Sequence, residues 1–71
     1  MSMQQTHQTV HSVGRTELAQ RYFPYITPHA AWKKLRALLA DDTDLAPLAT
    51  QRRRMFLPTE VNKIYLRLGQ P

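Results

Sequence analysis

The stretch Thr27-Pro28-His-Ala-Ala-Trp-Lys-Lys-Leu-Arg-Ala-Leu-Leu-Ala40 constrains the fold more than any other part of the chain. Thr27 is suited to accept a first-turn N–H, and Pro28 falls where a missing N–H costs nothing. Ala31, Leu35, Leu38 and Leu39 recur at i, i+4, i+7 and i+8, a stripe that has to face a core. His29, Lys33 and Arg36 fall on the opposite side, and Trp32 stands at the border. The spacing predicts a helix over 28–40 with a hidden apolar side and an outward cationic side.

The flanking segments supply what that stripe can pack against. A shorter helix is predicted from Thr16, as N-cap, to Tyr22, with Leu18, Ala19 and Tyr22 on a narrow apolar face. Pro24 ends it by pushing Phe23 out of the helical region. Of the acids Asp41, Asp42 and Asp44, one is expected to cap the next segment, a single turn starting at Thr43 or Asp44 and running through Leu48. Residues 50–54 read as a loop carrying Arg52, Arg53 and Arg54. Met55 to Leu57 is expected to be extended and paired with a short edge strand at Thr9 to Val13. A last helix begins near Pro58, with Val61, Ile64, Tyr65 and Leu68 at i, i+3, i+4 and i+7 and Gly69 as its stop. Lys63 and Arg67 are expected on its solvent side. The expected fold is mostly α: a small domain of three main helices, helix-turn-helix-like, with a two-stranded edge. Its core is expected to be Leu18, Ala31, Leu35, Leu38, Phe56, Val61, Ile64 and Leu68.

With 71 residues there is room for one core, and folding at this size hides only about 60% of the unfolded surface. Residues 1–13, polar and without acid or base, are expected to be a flexible tail before a single domain at 14–71. The absence of cysteine excludes disulfides, thiol nucleophiles and Cys-based zinc sites, and points to a reducing, cytoplasmic setting. No apolar run is long enough to cross a bilayer, and the first residues lack the basic and apolar regions of a signal peptide. His7 and His11 are two potential ligands without a third, so they read as plain polar residues. Ser2 and Ser12 lie in the weakly structured start, there is no Gly-rich phosphate loop, and Asp41, Asp42 and Asp44 lack the glycine and distal Glu of a calcium loop. A cofactor, a small-molecule substrate and an enzymatic role are therefore not expected.

Ten Lys and Arg stand against five Asp and Glu, a net charge of +5 and a pI near 10.3. The bases form two blocks on either side of the three aspartates. If the blocks converge they present a phosphate-binding face, and affinity for nucleic acid would fall steeply with salt. The run Arg52 to Arg54 fits either a phosphate clamp or an internal partner for Asp41, Asp42 and Asp44. The segment from Glu17 to Leu35 has the outline of a helix-turn-helix: Ala19 lets two helices approach, Ile26 plugs the gap, and the second helix enters a major groove by its N-terminal end. Phe23-Pro24-Tyr25 makes the turn longer than the usual three residues, without glycine. The competing reading is two packed helices with no groove to enter. In the DNA reading Thr27, His29, Ala30 and Lys33 approach base edges, while Arg36, Arg52, Arg53 and Arg54 hold phosphates of double-stranded DNA. A module this small would need a homodimer or partner protein to bind tightly. The rival function is a protein-interaction adaptor using the last helix and the aromatics Tyr22, Phe23, Tyr25 and Trp32, which are expected to be mostly buried.

The segments TELAQRYFPYITPHAAWKKL and RRRMFLPTEVNKIYLRLGQP resemble a family of short proteins from anaerobic gut bacteria, domain-of-unknown-function family 4248. The shared opening is Glu-Leu-Ala…Tyr…Pro…Thr-Pro…Ala, and the shared ending is matched by Pro58, Val61, Ile64, Leu68, Gly69 and Pro71. The resemblance covers about Gly14 to Pro71. It departs at Leu57, where a Thr cap would be expected, and in a shorter, Arg-rich middle. It implies a helical fold with helix-turn-helix character and carries no activity.

Overall fold

A computed structural model describes residues 11–71. β1 (Val13–Gly14) leads into α1 (Arg15–Tyr22), α2 (Pro28–Ala40), α3 (Ala46–Thr50), β2 (Met55–Phe56) and α4 (Pro58–Leu68). The expected mostly helical domain with a two-stranded edge is the architecture observed. The proposed tail over Met1 to Gln8, His7, and Thr9 and Val10 of the expected edge strand lie outside the described residues. Val13, the last residue of both the expected tail and the expected edge strand, is paired in the strand and buried in the core.

The two strands pair antiparallel, Val13 opposite Phe56 and Gly14 opposite Met55. This ladder explains why the N-cap of the first helix lies two residues earlier than expected. Gly14, not Thr16, is its N-cap and offers no side-chain cap. The orphan N–H of Arg15 donates instead to the Arg54 carbonyl across the ladder, at 2.9 Å. Downstream, Phe23 N–H closes α1 on the Ala19 carbonyl, and the Gln20 amide donates to Ile26 O at 2.7 Å, fastening the connection to α2.

α2 forms over the predicted residues, with Thr27 Oγ1 accepting from the Ala30 N–H at 3.2 Å. Its buried side is Ala31, Trp32, Leu35 and Leu39. At about 100° per residue, Trp32 lies on one border of that side and Leu38 on the other. The core takes the indole, which packs near Phe56 with ring centroids 6.1 Å apart, and leaves Leu38 42% exposed. Leu38 is therefore not a core residue. Leu68 is only partly buried, packed on the core from outside. Leu45, Leu48 and Ala49 close the side that the short turn expected from sequence leaves open.

The acid-rich link is capped by Asp42. Its Oδ1 accepts from the Asp44 N–H at 2.9 Å, and its carbonyl accepts from Leu45 and Ala46. The single turn expected from Thr43 or Asp44 is thus displaced to α3, where Pro47 sits in the first turn. At α4 the apolar Leu57 cannot accept through its side chain, so only half a capping box forms: Glu60 Oε1 accepts from the Leu57 N–H at 2.8 Å. The helix ends at Gly69, φ 86° and ψ 162°, a backbone region essentially restricted to glycine. There the Tyr22 hydroxyl donates to the Gly69 carbonyl, joining the ends of α1 and α4. Burial, and then the nearby Tyr65, push the Tyr22 phenol up to about 12.

Two substitutions test this packing. Leu35→Ala should cost about 2–5 kcal/mol in urea unfolding, and Leu38→Ala well under half of that. Equal losses would return Leu38 to the core. Tyr22→Phe should cost about 1 kcal/mol, the net worth of one hydrogen bond.

Candidate nucleic-acid interface

The fold sorts the charges before it builds any site. Arg21 pairs with Glu17 on α1 at 3.2 Å. Arg53 grips Glu60 with both guanidinium nitrogens, at 3.3 and 2.9 Å, and also donates to Met55 O and Gln51 Oε1. Arg67 of α4 reaches back to Asp42 at 2.9 Å and Asp44 at 3.3 Å. Three of the ten bases thus take up four of the five acids. Arg15, Lys33, Lys34, Arg36, Arg52, Arg54 and Lys63 remain outside any ion pair among the described residues. Asp41 is the remaining acid.

The pairing differs from the sequence alternatives. Asp42 and Asp44 are answered by Arg67 on α4, which the sequence places in solvent, and not by the Arg52 to Arg54 run. Arg53 is a structural tie between the 51–54 loop and the start of α4, so it is not a free phosphate contact. Arg52 and Arg54 are exposed. The Arg67 hydrogen bond holds the Asp42 carboxyl below its ordinary value, outweighing desolvation, with help from the Asp44 and Leu45 N–H groups; Asp42 raises Arg67 in return. For Glu60, burial pushes upward, and the Arg53 hydrogen bond, the Leu57 N–H and the Arg53 charge together bring the net shift down.

Three of the seven unpaired cations share one place. Arg15, Lys33 and Arg36 line an open cleft of about 540 Å³, with Thr50 and Gln51 on its far wall. The concavity exists because the residues between are small: Ala37 and Ala40 on α2, and Ala49 on α3. No acid lines it. Arg15 is held in position, its guanidinium carbon 4.9 Å above the Trp32 ring. Gln51 is fixed as well, donating to Met55 O at 3.4 Å and accepting from Arg53 at 3.2 Å.

Of the residues singled out from sequence, Lys33 and Arg36 are exposed and share this cleft. His29 is exposed one turn before Lys33, on the same side of α2. Thr27 is exposed, with its hydroxyl oxygen used as the helix cap. Ala30 is partly buried. Sequence reasoning misses Arg15, which the strand ladder and the indole place through contacts distant in sequence, and also Thr50 and Gln51 at the end of α3. Among the aromatics, Trp32 is buried, Tyr22 and Phe23 are half-buried, and Tyr25 is almost fully exposed. Among the described residues no group of three acidic, His or Cys side chains could hold a metal, and no helix is long and apolar enough to cross a membrane.

Fold and site together define a small basic helical domain in which three of the seven unpaired bases line one cleft beside α2. The family model for a domain of unknown function (DUF4248) matches residues 9–71, and the chain belongs to that family. Neither the curated proteins nor the solved structures contain a match to it.

The Arg67 clasp has a pH signature. A carboxylate held below its ordinary value near 3.8 contributes stability above that value, and the contribution is lost as pH falls through the depressed one. Asp42→Asn keeps an oxygen for the Asp44 N–H and removes the charge. Thermal melts of this variant should therefore lie below those of the parent at neutral pH, with the gap closing below about pH 4. A gap that persists unchanged in acid would show that the clasp carries no titrating stability.

Proposed function

We propose that the domain binds duplex DNA through the outward side of α2. The observation that carries this reading is the division of charge: seven bases outside ion pairs against one remaining acid, with three of the seven beside a single acid-free cleft. A polyanion is the partner such a face attracts, and the gain comes largely from counterions released when phosphates are neutralised.

The helix-turn-helix outline supports the mode of docking. Ala19 is fully buried and Ile26 packs against the core, the two features that let α1 brace α2. The connection between the helices spans residues 23–27, longer than usual, and Gln20 secures it. In this reading Lys33 joins Arg36 and Arg15 at the phosphates because the three share one cleft. Arg52 and Arg54 add backbone contacts from the loop that Arg15 binds through its N–H. Thr27 and His29, at the N-terminal end of α2, are left for base edges, with the Thr27 O–H free to donate while its oxygen caps the helix. A homodimer would bring two such helices to adjacent half-sites. The bacterial, cytoplasmic setting expected from the sequence is consistent with this function. The adaptor reading would want a continuous apolar surface around Tyr22, Tyr25 and Trp32, and only Tyr25 of the three is exposed.

Fluorescence anisotropy with a labelled random-sequence duplex tests the proposal. Three to five phosphate contacts make affinity fall roughly six- to twentyfold on doubling the salt, from a slope of about −0.9 per contact. Arg36→Gln should lower the slope by about one on every sequence, whereas His29→Ala should change the preference among sequences. No binding at low salt would overturn the reading.

A further inference from the structure

The cleft has properties that a general basic face does not require. Its three cations come from two elements, Arg15 from the start of α1 and Lys33 and Arg36 from the middle of α2. Arg15 is fixed on Trp32 before any ligand arrives. Its volume of about 540 Å³ lies within the range of small-ligand pockets, roughly 300–1,000 Å³. Asp41, the remaining acid, follows Ala40 on α2 and does not line it.

We infer that this cleft is a discrete site for a phosphate monoester, carried either by a small phosphorylated molecule or by the 5′ end of a nucleic-acid strand. The chemistry selects the monoester over the diester linkages inside a strand. A monoester bears about −1.5 to −2 charge at neutral pH and three strong acceptor oxygens. A diester bears a single charge and two free oxygens. Three cationic groups on one cleft, two guanidinium and one ammonium, equal the monoester's three oxygens in number and come closer to balancing its charge than a diester's. With a diester they leave unanswered positive charge crowded together. The guanidinium groups favour planar, two-pronged contact with phosphate oxygens, and Lys33 adds a point charge. Opposite them, the Thr50 hydroxyl donates weakly to Pro47 O at 3.4 Å and keeps its lone pairs for a hydroxyl on the group that bears the phosphate. The alanine floor leaves that group room to lie flat.

This site goes beyond the duplex-binding reading and does not depend on it. Trp32 is the chain's one tryptophan and lies against Arg15, so its emission reports directly on the cleft. The intact chain is titrated with ribose 5-phosphate, ribose and dimethyl phosphate at constant ionic strength. Amide NMR shifts are followed in parallel, and a duplex with 5′-phosphates is compared with the same duplex ending in 5′-hydroxyls. Saturable change in Trp32 emission with ribose 5-phosphate is expected, with dimethyl phosphate weaker by about tenfold or more and ribose silent. Shifts should concentrate at Arg15, Lys33, Arg36 and Thr50. Lys33→Gln and Arg36→Gln, both on exposed positions, should each weaken the monoester by about tenfold while leaving the NMR fingerprint folded. Preference for the 5′-phosphorylated duplex assigns the monoester to a strand end. Equal binding of the two duplexes alongside saturable ribose 5-phosphate assigns it to a small molecule. Absence of saturation by about 10 mM ribose 5-phosphate and of any duplex preference overturns the site. That result leaves duplex binding standing if the salt-dependent anisotropy is present. The converse pattern, monoester without duplex, removes the earlier reading and leaves this one.

Discussion

Burial of one side of α2 is the constraint on which the other contacts depend. Ala31, Leu35 and Leu39 are completely withdrawn from solvent and Trp32 nearly so, and no other element of the domain contributes as many buried side chains. Each large apolar side chain so hidden is worth on the order of 1.5–3 kcal/mol. α1 meets this side with Leu18 and Ala19, α4 brings Val61 and Ile64, and the link after α2 folds Leu45, Leu48 and Ala49 back onto the core. Because the helix turns by about 100° per residue, hiding that side forces His29, Lys33 and Arg36 outward. The outward placement of these cations is thus a consequence of the packing, although the charges themselves stand at exposed positions and contribute nothing to the core.

The second determinant is how the few acids are spent. Two of the three main pairings, Arg53–Glu60 and Arg67 with Asp42 and Asp44, fasten irregular segments to α4. Isolated surface pairs contribute little to stability. Here the acids also accept backbone N–H groups, so Glu60 closes the start of α4 through Leu57, Asp42 holds the turn after α2 through Asp44, and each pins an arginine at once. The effect on the α2 surface is indirect. With four acids used up on α1, the link after α2 and the start of α4, the α2 side and its cleft keep their positive charge uncompensated.

Much of this is legible from the chain. Helix 28–40 comes from Thr27, Pro28 and the leucine spacing, because capping and periodicity are local. The pairing of the two short extended segments is also legible in outline, though it lies at Val13 and Gly14. Choices made by distant contacts are not. Leu38 and Trp32 border the same stripe, and only the presence of Phe56 decides that the indole goes in. Gly14 replaces Thr16 as the helix start because Arg54, some forty residues away, supplies an acceptor to Arg15. The Arg52 to Arg54 run reads as one feature in sequence, yet Glu60 takes its middle member and leaves the outer two.

Arg15 shows how such distant contacts turn a charge into a site. Its N–H is committed to the strand ladder and its guanidinium to the face of Trp32, so both ends of the residue are placed by the core. The same indole that displaces Leu38 from the interior therefore sets one wall of the cleft. Lys33 comes directly after Trp32 in sequence, and Arg36 lies one turn further along the same helix, so the ring's burial also fixes where they emerge. Alanine at 37, 40 and 49 then matters for what it lacks. A longer side chain at any of the three would fill the concavity, and the cations would border a flat surface. A rigid aromatic core residue beside a floor of small ones gives this domain a shaped cationic recess at a size where few chains can hold one.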